Sequence, residues 1–100
     1  MLPKNYKKFM ETLDGSEPLG DWPAELRALW WDAKDNWEAS HNIAQDIPGV
    51  VGNWIHAYLH RKEGDDWNAK YWYRRAHRQY PKSTLKEEGQ ELVNYVLKGS

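Results

Sequence analysis

Apolar residues in this chain recur every three or four positions in each segment between turn signals. Nowhere do they alternate with polar residues long enough to make a strand. That period leaves one way to build a core, which is to bury helix stripes against one another. Leu2, Tyr6, Phe9, Met10 and Leu13 share a face before "DGSEPLG" breaks the chain. Asp21 and Pro23 read as the cap and first turn of a second helix, with its stripe on Leu26, Leu29, Trp30 and Ala33. "KDN" interrupts that stripe, and a further segment from Trp37 to Asp46 closes at Ile47-Pro48-Gly49. A fourth segment runs from Val50 to Glu63 and stops at Gly64, and a fifth runs from Asp65-Asp66 to about Arg78, ahead of Pro81. Thr84 and Glu87 form a capping box for the last helix. The expectation is a single all-α domain of five or six helices: an N-terminal helix over about 3–13, hairpins over 23–46 and 50–78, and a C-terminal helix over 84–98.

One hundred residues can bury one modest core without metals or disulfides. A net charge of −1 gives no global pull toward nucleic acid or an anionic membrane. The absence of cysteine removes disulfide and thiolate chemistry. The opening "MLPKNYKKFMETL" lacks the apolar core and cleavage site of a signal peptide, and no run approaches a membrane span. These features lead to the expectation of a cytoplasmic protein. Seven Trp and six Tyr stand beside a single Phe. Trp and Tyr carry donors that need partners when buried, so they concentrate in cores with polar corners and at interfaces. So many large amphipathic rings are hard to bury in one small core, and an exposed aromatic patch with homodimerisation is expected.

The chain carries an internal echo. "WWDAKDNWEASHNIAQ" and "YLHRKEGDDWNAKYWYRRA" each read as a helix, a tight polar turn, a Trp, and a helix with an early alanine. "GDDWNAKYWYRRAHRQYP" resembles the second half of a tetratricopeptide repeat, with the turn at Gly64-Asp65, small Ala69 and Ala76, aromatic Tyr73 and closing Pro81. The resemblance implies two stacked antiparallel hairpins with flanking helices. The first half of that repeat departs from the pattern, because Asn53, His56 and His60 fall where the family packs apolar groups. "HAYLHRKEGD", "YWYRRA" and the upstream "DNWEASHNIAQD" also resemble a signature of short bacterial proteins with no assigned activity.

On a helical wheel Val51, Trp54, Ile55, Tyr58 and Leu59 form one arc, and Gly52, Asn53, His56, Ala57, His60 and Glu63 form the other. The second arc is too poor in Lys and Glu for a solvent face. The segment is therefore expected to be a central helix covered on two sides. His56 and His60, one turn apart, admit three roles. They could be hydrogen-bonded core residues, line a ligand pocket, or bind zinc or iron with His41 as third ligand. A di-iron bundle would need two Glu-x-x-His units, and the chain has only Glu38-x-x-His41. Ser16, Ser40, Ser83, Thr84 and Ser100 lie in turn, cap or small-residue contexts without a nucleophile elbow, and there is no phosphate loop. Glu63 and Asp65 could serve as acid or base, although Asp65 and Asp66 are explained by helix capping. The reading leans away from an enzyme.

Lys70, Arg74 and Arg78 recur on one face near Tyr71, a pattern able to hold a nucleic-acid backbone. With no overall positive charge, nucleic acid is not expected as a partner. The expectation is a binding module for a peptide or small anionic ligand, with no cofactor, in a groove lined by His56, His60, Trp54, Tyr58, Asn68, Trp72 and Arg75. A metal centre on His41, His56 and His60 is the alternative, and a purely structural self-associating subunit is the third reading.

Overall fold

Six α-helices form along residues 1–99, the part that the computed structural model describes: α1 Tyr6–Glu11, α2 Ala24–Ala33, α3 Trp37–Ala44, α4 Val50–Glu63, α5 Asp66–Arg75 and α6 Leu85–Leu97. A single 3-10 turn, Thr12–Asp14, extends α1, and no strand occurs among the described residues. Four helices begin at a side chain that accepts a hydrogen bond from an otherwise unpaired first-turn N–H: Asn5, Asn36, Asp65 and Thr84. At Thr84 the capping box with Glu87 is complete. Helix α2 differs from the expected start. Pro23 occupies the cap position, its carbonyl accepts from Leu26 and Arg27, and Asp21 lies too far out to cap. Helix α5 ends at Arg75, short of Arg78, because His77 adopts a left-handed backbone with φ 58°.

Helices α2 and α3 form one antiparallel hairpin, and α4 and α5 form the other. Their turns are built alike. A left-handed residue follows each first helix: Asp35 with φ 61°, and Gly64 with φ 89°. The next residue's N–H then reaches back five positions, Asn36 to the Trp31 carbonyl and Asp65 to the His60 carbonyl, each at 2.9 Å. That residue also caps the following helix. The echo in the sequence is thus a repeated turn chemistry.

Helix α4 lies at the centre, in contact with α2, α3, α5 and α6. It is buried on nearly every side, from Trp54 through Leu59. Leu26, Leu29 and Trp30 from α2, Phe9 from α1, and Leu92 and Val93 from α6 complete the core around Ile55 and Leu59. Ala69 and Ala76 are fully buried where α5 closes on its neighbours. Ser40, also fully buried, donates its Oγ–H to the Ala28 carbonyl at 2.7 Å and fixes α3 against α2. The loop before α4 comes so close that a Cβ at Gly52 would lie 2.2 Å from the Ile47 carbonyl oxygen. No helix among the described residues is long and apolar enough to cross a membrane.

Candidate functional site

The two histidines of α4 meet a third from α3. Residues 56 and 60 are one turn apart, so their imidazoles project from one face of α4. The turn at Asp35-Asn36 folds α3 back so that His41 stands opposite them. His41 Nε2 and His56 Nε2 are 3.0 Å apart. One of these nitrogens carries the proton and the other accepts it, so the two rings hold different tautomers. One ring nitrogen from each of His41, His56 and His60 lies within 4.8 Å of the other two.

Two tryptophans hold the triad between them. The Trp37 ring stacks on His41 with centroids 4.7 Å apart, and the Trp72 ring stacks on His56 at 4.1 Å. Trp37 is itself pinned, since its Nε1–H donates to the Leu59 carbonyl at 2.7 Å. Because Trp37 precedes His41 by one helical turn, the pair is readable as an i, i+4 contact, and sequence reasoning missed it. His60 Nδ1 lies 2.7 Å from Glu63 Oε1, an arrangement in which Nδ1–H donates and Nε2 remains free. A carboxylate behind a histidine in this way fixes its tautomer and orientation, as around metal sites. His60, Glu63 and Asp65 also lie close together. Both Asp65 oxygens, however, accept from Asn68, one from its N–H at 3.2 Å and the other from its side-chain amide at 2.7 Å. Those bonds hold the Asp65 carboxyl below its ordinary pKa.

Burial sets the electrostatics of the triad. His56 is buried, whereas His41 and His60 are half-buried. Burial first, and then the neighbouring His41 and His60, push His56 down to about 4. Burial and His60 also lower His41, with Glu63 partly opposing. Both rings are therefore neutral at ordinary pH, the form in which imidazole ligates metals.

The other residues of the expected groove do not gather here. Trp54 points to the α6 side of α4, where its Nε1–H donates to Glu88 Oε2 at 3.0 Å and its ring meets Tyr95 edge-on. Tyr58 points toward α2 and donates to Asp32 Oδ2 at 2.9 Å. Residues two positions apart on a helix differ by about 200° around its axis, so the body of α4 separates Trp54 and Tyr58 from His56 and His60. Asn68 serves the Asp65 cap. Trp72 is part of the site through its stack on His56, and the Arg75 guanidinium lies 5.5 Å from the Trp72 ring centroid. Glu38 is exposed and takes no part in the histidine cluster.

The arrangement gives three imidazole donors with rigid aromatic sides and one carboxylate-oriented ring. Three imidazoles on tetrahedral zinc sit about 3.3 Å apart, given Zn–N bonds of about 2.05 Å. The closest pair is near that spacing, and the remaining nitrogens need approach by no more than about 1.5 Å, which side-chain rotation supplies. No protein-family model, curated protein or solved structure matches this chain.

Proposed function

We propose that this domain binds one transition-metal ion of the zinc class through His41, His56 and His60. The observation that carries the reading is the convergence of three imidazole nitrogens from two helices within 4.8 Å of one another. Structural histidines need one partner each, and a core does not require three in mutual contact. The Glu63 carboxylate behind His60 supports the same reading, because it engages Nδ1 and leaves Nε2 free. Three protein ligands leave one tetrahedral position open for water or an anionic ligand. Ligation through both Nε2 atoms would move the proton that now lies between His41 and His56 to a ring Nδ1, so the two neutral rings would take the ion by a tautomer change with no net proton release. The matching turns of the two hairpins support a tetratricopeptide-like frame beneath the site. Trp72 and Arg75 at its edge would carry the anionic-ligand role expected of the groove.

The test is metal content and loading of the native protein. Purified without chelator, the chain should hold close to one zinc or iron per molecule. The chelated protein should take up one cobalt(II) with the visible bands of a tetrahedral site. Zinc at a hundred times its Kd should stabilise the fold by about 2.7 kcal/mol. His41→Gln and His60→Gln should each remove the bands while the apo-protein still melts cooperatively. No bound ion, no cobalt bands and an unchanged Tm with zinc would overturn the proposal.

A further inference from the structure

The near-zero net charge conceals a one-sided distribution on α5. We infer that the outer face of α5 is a docking surface for single-stranded nucleic acid. The inner side of α5 packs on α4 through Ala69 and Tyr73. The opposite side presents Trp67, Lys70, Tyr71, Arg74 and Arg75, all exposed, at the three- and four-residue spacing of one stripe. Trp67 is 78 % exposed and Tyr71 39 %. An indole that open serves no core, and it has a stacking face to offer.

The cations of this stripe are free. The side chains of Lys70, Arg74 and Arg75 make no hydrogen bond or ion pair among the described residues, and Arg75 rests 5.7 Å from the Tyr71 ring centroid. Arg78, expected from its spacing to extend the stripe, is committed elsewhere. It turns inward after the helix ends, lies 3.4 Å from the Trp54 ring centroid and pairs with Glu91 at 3.0 Å. Asp66, the acidic residue at the start of α5, accepts from the Tyr80 hydroxyl at 2.7 Å. The face therefore combines three cations, none in an ion pair among the described residues, with one open indole, Trp67, and the partly exposed ring of Tyr71.

That combination selects its partner by charge. A second copy of this chain would set three cations against three. A phosphodiester strand instead supplies one negative charge per nucleotide together with flat bases that stack on Trp67 and Tyr71. Duplex bases are already stacked on one another, so unpaired strands fit best. Ten residues of α5 make a stripe about 15 Å long, enough for a few nucleotides. Binding is accordingly modest in strength and sensitive to salt. The inference does not depend on the metal reading, since none of these residues is a candidate metal ligand and only Arg75 borders both surfaces.

The test uses the chelator-treated protein and a fluorescently labelled twelve-residue oligothymidylate, read by anisotropy. Binding should appear at low salt and weaken by roughly 20-fold between 50 and 200 mM salt, as three neutralised phosphates dictate. Trp67→Ala should weaken it by about tenfold or more, and Lys70→Glu with Arg74→Glu should abolish it, with unchanged melting in both cases. Poly-glutamate, a polyanion without bases, should bind more weakly and be indifferent to Trp67→Ala. The inference is overturned by absence of oligonucleotide binding at 50 mM salt, or by binding that ignores Trp67→Ala. It is equally overturned if phosphatidylserine vesicles bind where the oligonucleotide does not, or if Trp67→Ala only abolishes self-association.

Discussion

Glu88 is the buried carboxylate on which the largest single loss of stability should fall. It is 1 % exposed on α6 and receives donors from two other helices. Trp54 Nε1–H reaches Oε2 at 3.0 Å, Arg61 Nη1–H reaches Oε1 at 2.7 Å, and the Tyr73 hydroxyl lies 2.7–2.8 Å from both oxygens. Arg61 also donates to the Ser83 carbonyl, which ties the segment before α6 into the same group. In Glu88→Gln the size is preserved, but one acceptor becomes a donor. If the amide oxygen stays with Arg61 and Tyr73, the amide nitrogen faces the Trp54 N–H. One buried donor is then orphaned, costing about 1–3 kcal/mol. The half-buried Arg61 also loses its charge partner, and breaking a buried pair from one side costs about 3–5 kcal/mol in total. For a domain of this size that lowers Tm by roughly 15–25 °C. Glu88→Leu orphans every donor and should fall further. Arg61→Met added to Glu88→Leu should recover part of that loss, because two apolar groups leave no charge unpaired. Paired urea and thermal melts of the three variants measure each step. A Glu88→Gln variant within 1 kcal/mol of wild type would refute the reasoning, as would a double variant that adds rather than recovers.

At Gly52, alanine gains about 1 kcal/mol in helix propensity, yet its Cβ would stand 2.2 Å from the Ile47 carbonyl oxygen. Gly52→Ala should therefore destabilise by about 2 kcal/mol or more, and a neutral or raised urea midpoint would argue against the close approach of that loop. Tyr58 and Tyr73 both ionise above the ordinary tyrosine value, chiefly through burial and then through the carboxylates Asp32 and Glu88 that accept from them. Unfolded tyrosine gives up its proton near pH 10, where the folded chain keeps both, so stability should be full below pH 10 and fall as pH rises above it. Urea midpoints between pH 8 and 11 check this, with a shallower alkaline decline expected in Tyr58→Phe.

How far this molecule was legible depends on whether a feature is local. Helix starts at Asp65 and Thr84 could be read because a cap is settled within four residues. The end of α5 could not, because His77 occupies a left-handed position usually marked by Gly or Asn. The histidine triad was within reach, since an i, i+4 pair and a hairpin turn bring His41, His56 and His60 together. The helical wheel already places Trp54 and Tyr58 across the axis from the histidines, and their bonds to Glu88 and Asp32 keep them there. Glu88 left a quieter sign, as a carboxylate on the Leu85, Gly89 and Leu92 stripe, where a charge implies buried partners. Those partners lie 15 to 34 residues away, and no local pattern names them.

The tryptophans carry the same argument through to function. Trp22, Trp30, Trp37 and Trp54 each donate an indole N–H, to the Met1 carbonyl, Thr12 Oγ1, the Leu59 carbonyl and Glu88 respectively. These four are spent on the fold, because a buried indole without an acceptor is costly. Among the described residues the N–H groups of Trp31, Trp67 and Trp72 have no such protein partner. Trp31 packs edge-on against Trp30. Trp67 and Trp72 stand on α5, one open to solvent and the other laid against His56. Composition counts all seven alike, whereas hydrogen bonding separates those that the core needs. The two that α5 carries outside that account are the ones that the two proposals use, Trp72 beside the histidines and Trp67 on the outer face.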